Sequence, residues 1–323
     1  MVALHDADSM IYVVAHKFRV REESLPVFEE LNAEEKAKLK EELIQQLYES
    51  MDVKEVLDHL DSFVKDILLK VGATEYLGFL GAREGSHTFR HDLAKTKPYK
   101  GNRGSSPHST KFWKPIMVDH LIKKWGYVEL FNIEADDACT IFQTIYGDES
   151  IICSPDKDLK QIKGWNYNYN KIVKTYVTQQ EADYNLHYQY LVGDSTDNIT
   201  GCKGVGKNEK PMKDENGVNI KDSRGCNVYY IPTNADGVPT AGAPKVLYGL
   251  KTAEEMERAV LEMYAKKHGM GYKEYFTEQK SLIYMLREHT DETKDLKPVP
   301  YLATSTYTVE QPKKEFPSLK CMQ

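Results

Sequence analysis

The chain has 323 residues, 41% of them hydrophobic, which is enough for a sizeable core in one large or two modest domains. A formal net charge of −6 excludes a protein that coats nucleic acid through its overall charge, although an average hides local patches. The five cysteines (Cys139, Cys153, Cys202, Cys226, Cys321) are widely spaced with no C-x-x-C pair, which argues for reduced thiols rather than a disulfide framework or a zinc site. No apolar run reaches about eighteen residues, and Met1 leads within a few positions into charged residues, so a cytoplasmic location is expected.

In chain order, "MVALHDADS" is a short apolar run ending in Asp6 and Asp8, the pattern of a buried strand. Asn32 with Glu35 predicts a capped helix through Leu39, Leu43, Ile44 and Leu47, and a second amphipathic helix runs from Val56 to Leu68. "TEYLGFLG" reads as a strand. The segment after it contains Gly101, Gly104, Pro107 and Pro115, which break regular structure. "IMVDHLIKKWG" is then a helix, "YVELFNI" a strand, "ADDACTIFQTIYG" a helix, and "SIICSPDKD" a strand ending near Asp156 and Asp158.

Farther on, Thr178 with Glu181 and Thr252 with Glu255 open two more helices. Residues 207–243 between them form an insertion rich in Asn, Gly, Pro, Asp and Lys, in which only "NVYYIP" resembles a strand, and residues 291–323 read as a surface tail. Strands alternating with helices predict an α/β fold with a mostly parallel central sheet, whose ligands bind outside the carboxyl ends of the strands. Asp6, Asp8, Glu134, Asp136, Asp137, Asp156 and Asp158 all fall at that edge.

Crowded carboxylates repel one another unless something positive compensates, and oxygen-only ligands suit Mg²⁺ or Mn²⁺. For any single acid, helix capping is the better explanation; for seven acids in three matching strand-end settings it is not. From Ser86 to Val118, seven basic residues (Arg90, Lys95, Lys97, Lys100, Arg103, Lys111, Lys114) face a single acid, Asp92, with Phe89, Tyr99, Phe112 and Trp113 interleaved. Such a run is most often a solvated loop, but cations beside stacking surfaces also suit nucleic acid. "VGDSTDNITGCKGVGKN" adds Asp194 and Asp197, then Gly201, Gly204 and Gly206, whose backbone amides could face a phosphate.

Taken together and in order, "FRHDLAKTKPYKGNR", "IEADDA", "SPDKDL" and "GDSTDNITGCKGVGK" resemble the flap-endonuclease superfamily of 5′ nucleases, most closely its phage-type 5′-3′ exonucleases. The resemblance implies a two-metal hydrolysis of phosphodiesters near 5′ ends, nicks, gaps or flaps of duplex DNA, with RNA–DNA hybrids as a further substrate, in phage-type replication or recombination. It implies two metal ions, Asp6, Glu134, Asp136 and Asp137 belonging to the first and Asp156, Asp158, Asp194 and Asp197 serving the second. Arg90, Lys100 and Arg103 match residues that hold the scissile phosphate. Lys95, Lys97, Tyr99, Lys111 and Lys114 lie in the position of a DNA-threading arch, at about residues 90–117. Gly201, Gly204 and Gly206 match a helix-hairpin-helix element that grips duplex, with K⁺ as a further ion. The implied layout is a nuclease domain over 1–190 and a helix-hairpin-helix region over 191–290, in a monomer.

Three features depart from the family pattern. Gly81 stands where the family has an aspartate, with Asp8 or Glu84 as substitutes; the hairpin is interrupted after Gly206; and the helices between residues 33 and 71 are longer than the family needs. Two other readings are a haloacid-dehalogenase-like phosphohydrolase, which needs Asp6 as a covalent nucleophile, and a catalytically impaired DNA-binding relative, motivated by Gly81.

Overall fold

The computed structural model of the protein describes residues 1–301 apart from 22, 24, 27–30, 82–86, 216 and 222–225, so Glu84 and most of the tail lie outside the described residues. Strand β1 (Val2–Asp6) is buried along its whole length and ends at Asp6, whose side chain caps α1 (Ala7–Lys17) by accepting from the Ser9 amide. Helix α2 (Ala33–Glu49) carries the predicted Asn32–Glu35 capping box, and α3 (Val53–Val71) stops at Gly72, left-handed at φ 66°. Strand β2 (Glu75–Gly81) follows, then α4 (Phe89–Leu93), α5 (His108–Trp125), β3 (Val128–Leu130), α6 (Ala135–Tyr146) and β4 (Ser150–Cys153). Beyond them come β5 (Gly164–Asn168), β6 (Val173–Val177), α7 (Gln179–Val192), β7 (Lys210–Pro211), β8 (Tyr229–Tyr230), α8 (Gly242–Leu247), α9 (Ala253–His268), α10 (Tyr272–Ile283) and β9 (Val299–Pro300).

The main sheet has the order β3-β2-β1-β4-β5-β6, parallel throughout except for β6, and β9 adds antiparallel to β2. The predicted mostly parallel α/β architecture is therefore present. Asp6, Gly81, the β3–α6 connection and the residues after Cys153 are brought to one edge, because parallel strands share a carboxyl end. A second apolar cluster, centred on Tyr190, Leu247, Val260, Tyr264 and Phe276, binds α7 to α8, α9 and α10.

The structure departs from the sequence reading in three places. Helix α5 begins at His108 and runs straight through Pro115, so Lys111 and Lys114 are helical rather than part of an open loop. Trp113 is fully buried and Phe112 packs on the core, so neither offers a stacking surface; burial of that face outweighs the backbone bond that Pro115 removes. In the described part of the segment after Asp291, Val299–Pro300 pairs with β2.

The insertion also has an order that its composition concealed. Met212, Ile220 and Val228 recur every eight residues and close a ring of backbone bonds: Met212 N to Val228 O (2.7 Å), Ile220 N to Met212 O (2.8 Å) and Val228 N to Ile220 O (2.9 Å). The repeat is legible in "KDENGVN" followed by "KDSRGCN". At its base the Ala243 amide donates to Gly206 O at 3.0 Å, so the hairpins project from a closed stem.

Candidate active site

Helix α6 enters the sheet edge with its first turn acidic. Glu134 is the N-cap, and Asp137 completes a capping box by accepting from the Glu134 amide at 3.2 Å. Glu134, Asp136 and Asp137 each place a carboxylate oxygen within 4.8 Å of the others, and among the described residues they form the one group of three or more acids, histidines or cysteines that compact.

The three acids differ in what already binds them. Asp137 is fully buried; its Oδ1 accepts from Arg90 Nη2 (2.7 Å) and Leu286 N (3.1 Å), its Oδ2 from Arg90 Nη1 (2.5 Å) and Glu134 N. A carboxylate has about four lone-pair sites, and all of them are occupied. Arg90 is equally committed: beyond Asp137 it donates to Glu134 Oε2 (3.3 Å), Leu282 O (3.1 Å) and Tyr284 O (3.0 Å), which uses all of its donors. Arg90, expected beside a phosphate, is thus an internal brace only 3% exposed.

Glu134 faces the basic segment. Lys100 Nζ contacts its Oε1, and Tyr99 donates one hydroxyl to Glu134 Oε2 and Asp197 Oδ2, at 2.8 Å each. Tyr99 is buried, so it links two acids instead of presenting a ring for stacking. Arg103 Nη2 meets Asp197 Oδ1 at 2.5 Å, and the Lys100 amide donates to Asp197 O. Lys100 itself is left-handed at φ 54°, a strained setting for a non-glycine residue that aims its side chain into the acidic group. Burial pushes Glu134 up, but Lys100 and Arg90 outweigh it and hold its carboxyl below the ordinary value. Among the described residues Asp136 has no such cation in contact: burial, then Glu134 and Asp137, push it well above the usual carboxylate range.

Asp6 sits on the other side, its Oδ2 accepting from Ser9 Oγ (2.6 Å) and Ser154 Oγ (2.8 Å), and burial pushes it up to about 6. At 5% exposure Asp6 has its Oδ2 tied to two hydroxyls, while its Oδ1 accepts only the Ser9 amide, at 3.4 Å. Asp8 fills the place left by the glycine at the end of β2. Its Oδ2 accepts from Gly81 N at 2.8 Å and lies only 2.5 Å from where a Cβ on Gly81 would stand, while Lys114 meets its Oδ1 at 3.1 Å. Lys114 therefore pairs with an acid rather than facing solvent.

Asp156, Asp158 and Asp194 form a looser second group. Burial, then Asp156, push Asp158 up to about 7, although Lys157 Nζ lies 3.4 Å from its Oδ1. The Asp197 carboxylate is held by Tyr99 and Arg103. Hard oxygen donors, with Asp6, Asp136 and Asp158 driven toward their neutral forms, fit divalent cations, which would relieve that repulsion.

Gly201 is left-handed (φ 68°), and a Cβ there would stand 2.3 Å from Gly193 N, so only glycine lets the two backbones meet. Gly204 is left-handed as well, whereas Gly206 is not. Lys95, Lys97 and Lys111 are exposed. Two positioning acids escaped the sequence reading: Glu278 accepts from the Lys95 and Thr96 amides (2.7 and 2.6 Å), and Glu292 from the Phe131 and Asn132 amides (2.6 and 2.9 Å). No local pattern marks either one, since each reaches residues more than a hundred positions away.

No protein-family model matches the chain. A 5′-3′ exonuclease of Mycoplasmopsis pulmonis (strain UAB CTIP) is 29% identical over 147 residues, covering 40% of this chain and 47% of that protein, so the chain spans under half the length of the curated relative it matches. Among solved structures, T5 5′-exonuclease with bound zinc aligns at 13% identity and a TM-score of 0.43 over 88% of this chain and 99% of that one. The bacteriophage T5 flap endonuclease in a pseudo-enzyme-product complex with DNA and metal ions aligns at 13% identity and a TM-score of 0.42, over 87% and 98%. Over the 147 matched residues the chain is similar in sequence to a 5′-3′ exonuclease. No helix among the described residues is long and apolar enough to cross a membrane.

Proposed function

We propose that the protein is a divalent-cation-dependent 5′ nuclease that hydrolyses phosphodiester bonds near 5′ ends, nicks, gaps or flaps of duplex DNA. The observation that carries this reading is the compact group of Glu134, Asp136 and Asp137 at the carboxyl edge of a parallel sheet, faced by Lys100 from a basic segment. Glu134 and Asp136, with Asp6 and Asp8, would hold one Mg²⁺ or Mn²⁺; Asp156, Asp158 and Asp194, with Asp197, would hold a second. Such ions supply an activated water and charge neutralisation at the phosphate.

The protein's own groups do the rest. Lys100 and Arg103 reach the space between Glu134 and Asp197, where a phosphate would bring its oxygens and both cations can turn onto it. Arg90 and Asp137 keep the acidic turn of α6 rigid. Exposed Lys95, Lys97 and Lys111 would contact backbone phosphates, and the loop through Gly201, Gly204 and Gly206, joining α7 toward α8, would grip duplex as a helix-hairpin-helix element with K⁺. The layout is then a nuclease domain over 1–190, a duplex-binding region over 191–290 and a role in phage-type replication in the host cytoplasm, with RNA–DNA hybrids as a further substrate.

The test is incubation of the protein and Mg²⁺ with 5′-labelled nicked and blunt duplexes beside a small phosphate monoester. Release of short 5′ products supports the reading, and turnover of the ester without the DNA sinks it.

A further inference from the structure

The second acidic group is oriented from behind by two amides. Gln189 on α7 donates through Nε2 to Asp158 Oδ1, and its Oε1 accepts from Gln161 Nε2. Gln161 is 2% exposed and closes the single 3-10 turn that Asp158 opens. The same Gln161 nitrogen donates to Ile283 O at 3.2 Å.

This arrangement fixes its own polarity. A backbone carbonyl only accepts, so Ile283 dictates that Gln161 turns its nitrogen inward; the second hydrogen of that nitrogen must find an acceptor, so Gln189 presents its oxygen; and the nitrogen of Gln189 is left for Asp158. Each amide is therefore oriented by the one before it, and the assignment does not depend on choosing between oxygen and nitrogen by eye.

The starting point of the chain is equally telling. Leu282 O and Tyr284 O, on either side of Ile283 O, accept from Arg90, which braces Asp137. Three consecutive carbonyls at the end of α10 thus fix both acidic groups, one through a guanidinium and the other through two amides.

We propose that Gln189 and Gln161 are positioning residues, a two-amide relay from the α10 terminus that holds Asp158 in the orientation a divalent cation needs. The proposal rests on reading Asp156, Asp158 and Asp194 as cation ligands. Neither glutamine touches the cation or substrate; both act through Asp158. Partners of this kind commonly set metal affinity within a factor of about 10–100.

The test is Mn²⁺ titration of the full chain without DNA, followed by the electron paramagnetic resonance signal of free Mn²⁺, with unfolding of each metal-free variant measured alongside. Wild type should bind Mn²⁺, and the near-isosteric Gln189→Met should weaken one class of site by roughly tenfold while leaving the other unchanged. Gln161→Met offers no donor to Ile283 O or Gln189; it should weaken the same class although it never meets Asp158, and Gln161→Met/Gln189→Met should be no worse than Gln189→Met alone. Unchanged affinity in both single variants, or additive losses that track metal-free unfolding, overturns the relay. Absence of Mn²⁺ binding by wild type overturns the ligand reading on which the relay rests, whereas wild type that binds and cleaves beside variants that match it overturns the relay alone.

Discussion

Arg90 and Asp137 form a closed pair: two hydrogen bonds join them, and every other donor of the arginine and every other acceptor site of the aspartate is filled by surrounding protein. Breaking one half of a buried pair leaves an uncompensated charge, which costs about 3–5 kcal/mol, whereas replacing both halves with apolar groups is often near neutral. Arg90→Met should therefore lower unfolding stability by about that amount, and Arg90→Met/Asp137→Leu should recover only part of it, since Glu134 N, Leu286 N, Leu282 O and Tyr284 O then lack their partners. Urea denaturation of the metal-free protein measures both. A small loss in Arg90→Met would mean that the pair is no brace.

Asp8 and Gly81 are matched in space. A side chain at position 81 would meet Asp8 Oδ2 at 2.5 Å, so Gly81→Asp should destabilise the protein, and moving the acid by Asp8→Ala/Gly81→Asp should restore stability and cation binding better than Asp8→Ala alone. Thermal unfolding with and without Mn²⁺ reads both quantities. Equal Mn²⁺ response in Asp8→Ala and wild type would remove Asp8 from the ligand set.

Lys100 combines a strained backbone with a contact to Glu134. A group aimed at a reacting phosphate acts mainly in the transition state, so Lys100→Ala should slow cleavage by on the order of a hundredfold or more while changing duplex affinity only a few-fold. Single-turnover rates beside equilibrium binding separate the two. Proportional loss of both would make Lys100 a backbone contact.

His5, buried in β1 with its Nδ1 against the Tyr127 hydroxyl, has its pKa pushed down by burial from 6.5 to about 3. The unfolded chain takes up this proton more readily than the folded one, so the stability linked to His5 is fully present above about pH 6.5 and is lost as pH falls toward 3, at up to roughly 1.4 kcal/mol per pH unit. The stability advantage of wild type over His5→Phe, measured by urea denaturation, should accordingly shrink between pH 7 and pH 4. A difference independent of pH would show that His5 titrates normally.

Much of the fold was legible because its signals are local. The capping boxes at Asn32, Thr178 and Thr252 are all formed, and the apolar runs of β1, β2 and β4 lie where the pattern put them. The acids at the strand ends were legible for the same reason, since parallel strands carry their ends to one edge. Burial was not: Trp113 and Tyr99 look alike in a basic run, yet one fills the core under α5 and the other bridges Glu134 and Asp197. Nor could a sequence read at periods of 2 and 3.6 residues register the eight-residue ring of Met212, Ile220 and Val228, or the long-range reach of Glu278, Glu292 and Gln161.

The most direct test of the account uses one nicked duplex labelled either at the 5′ or at the 3′ terminus of the nick, incubated with Mg²⁺ and either wild type or Asp136→Asn. Burial, Glu134 and Asp137 all disfavour the charged form of Asp136, so the asparagine variant should be at least as stable as wild type without metal and should lose cleavage. Wild type should give short products from the 5′-labelled strand, Asp136→Asn none, and the 3′-labelled strand should stay intact. Undiminished cleavage by a folded Asp136→Asn, or attack beginning at the 3′ label, would contradict it.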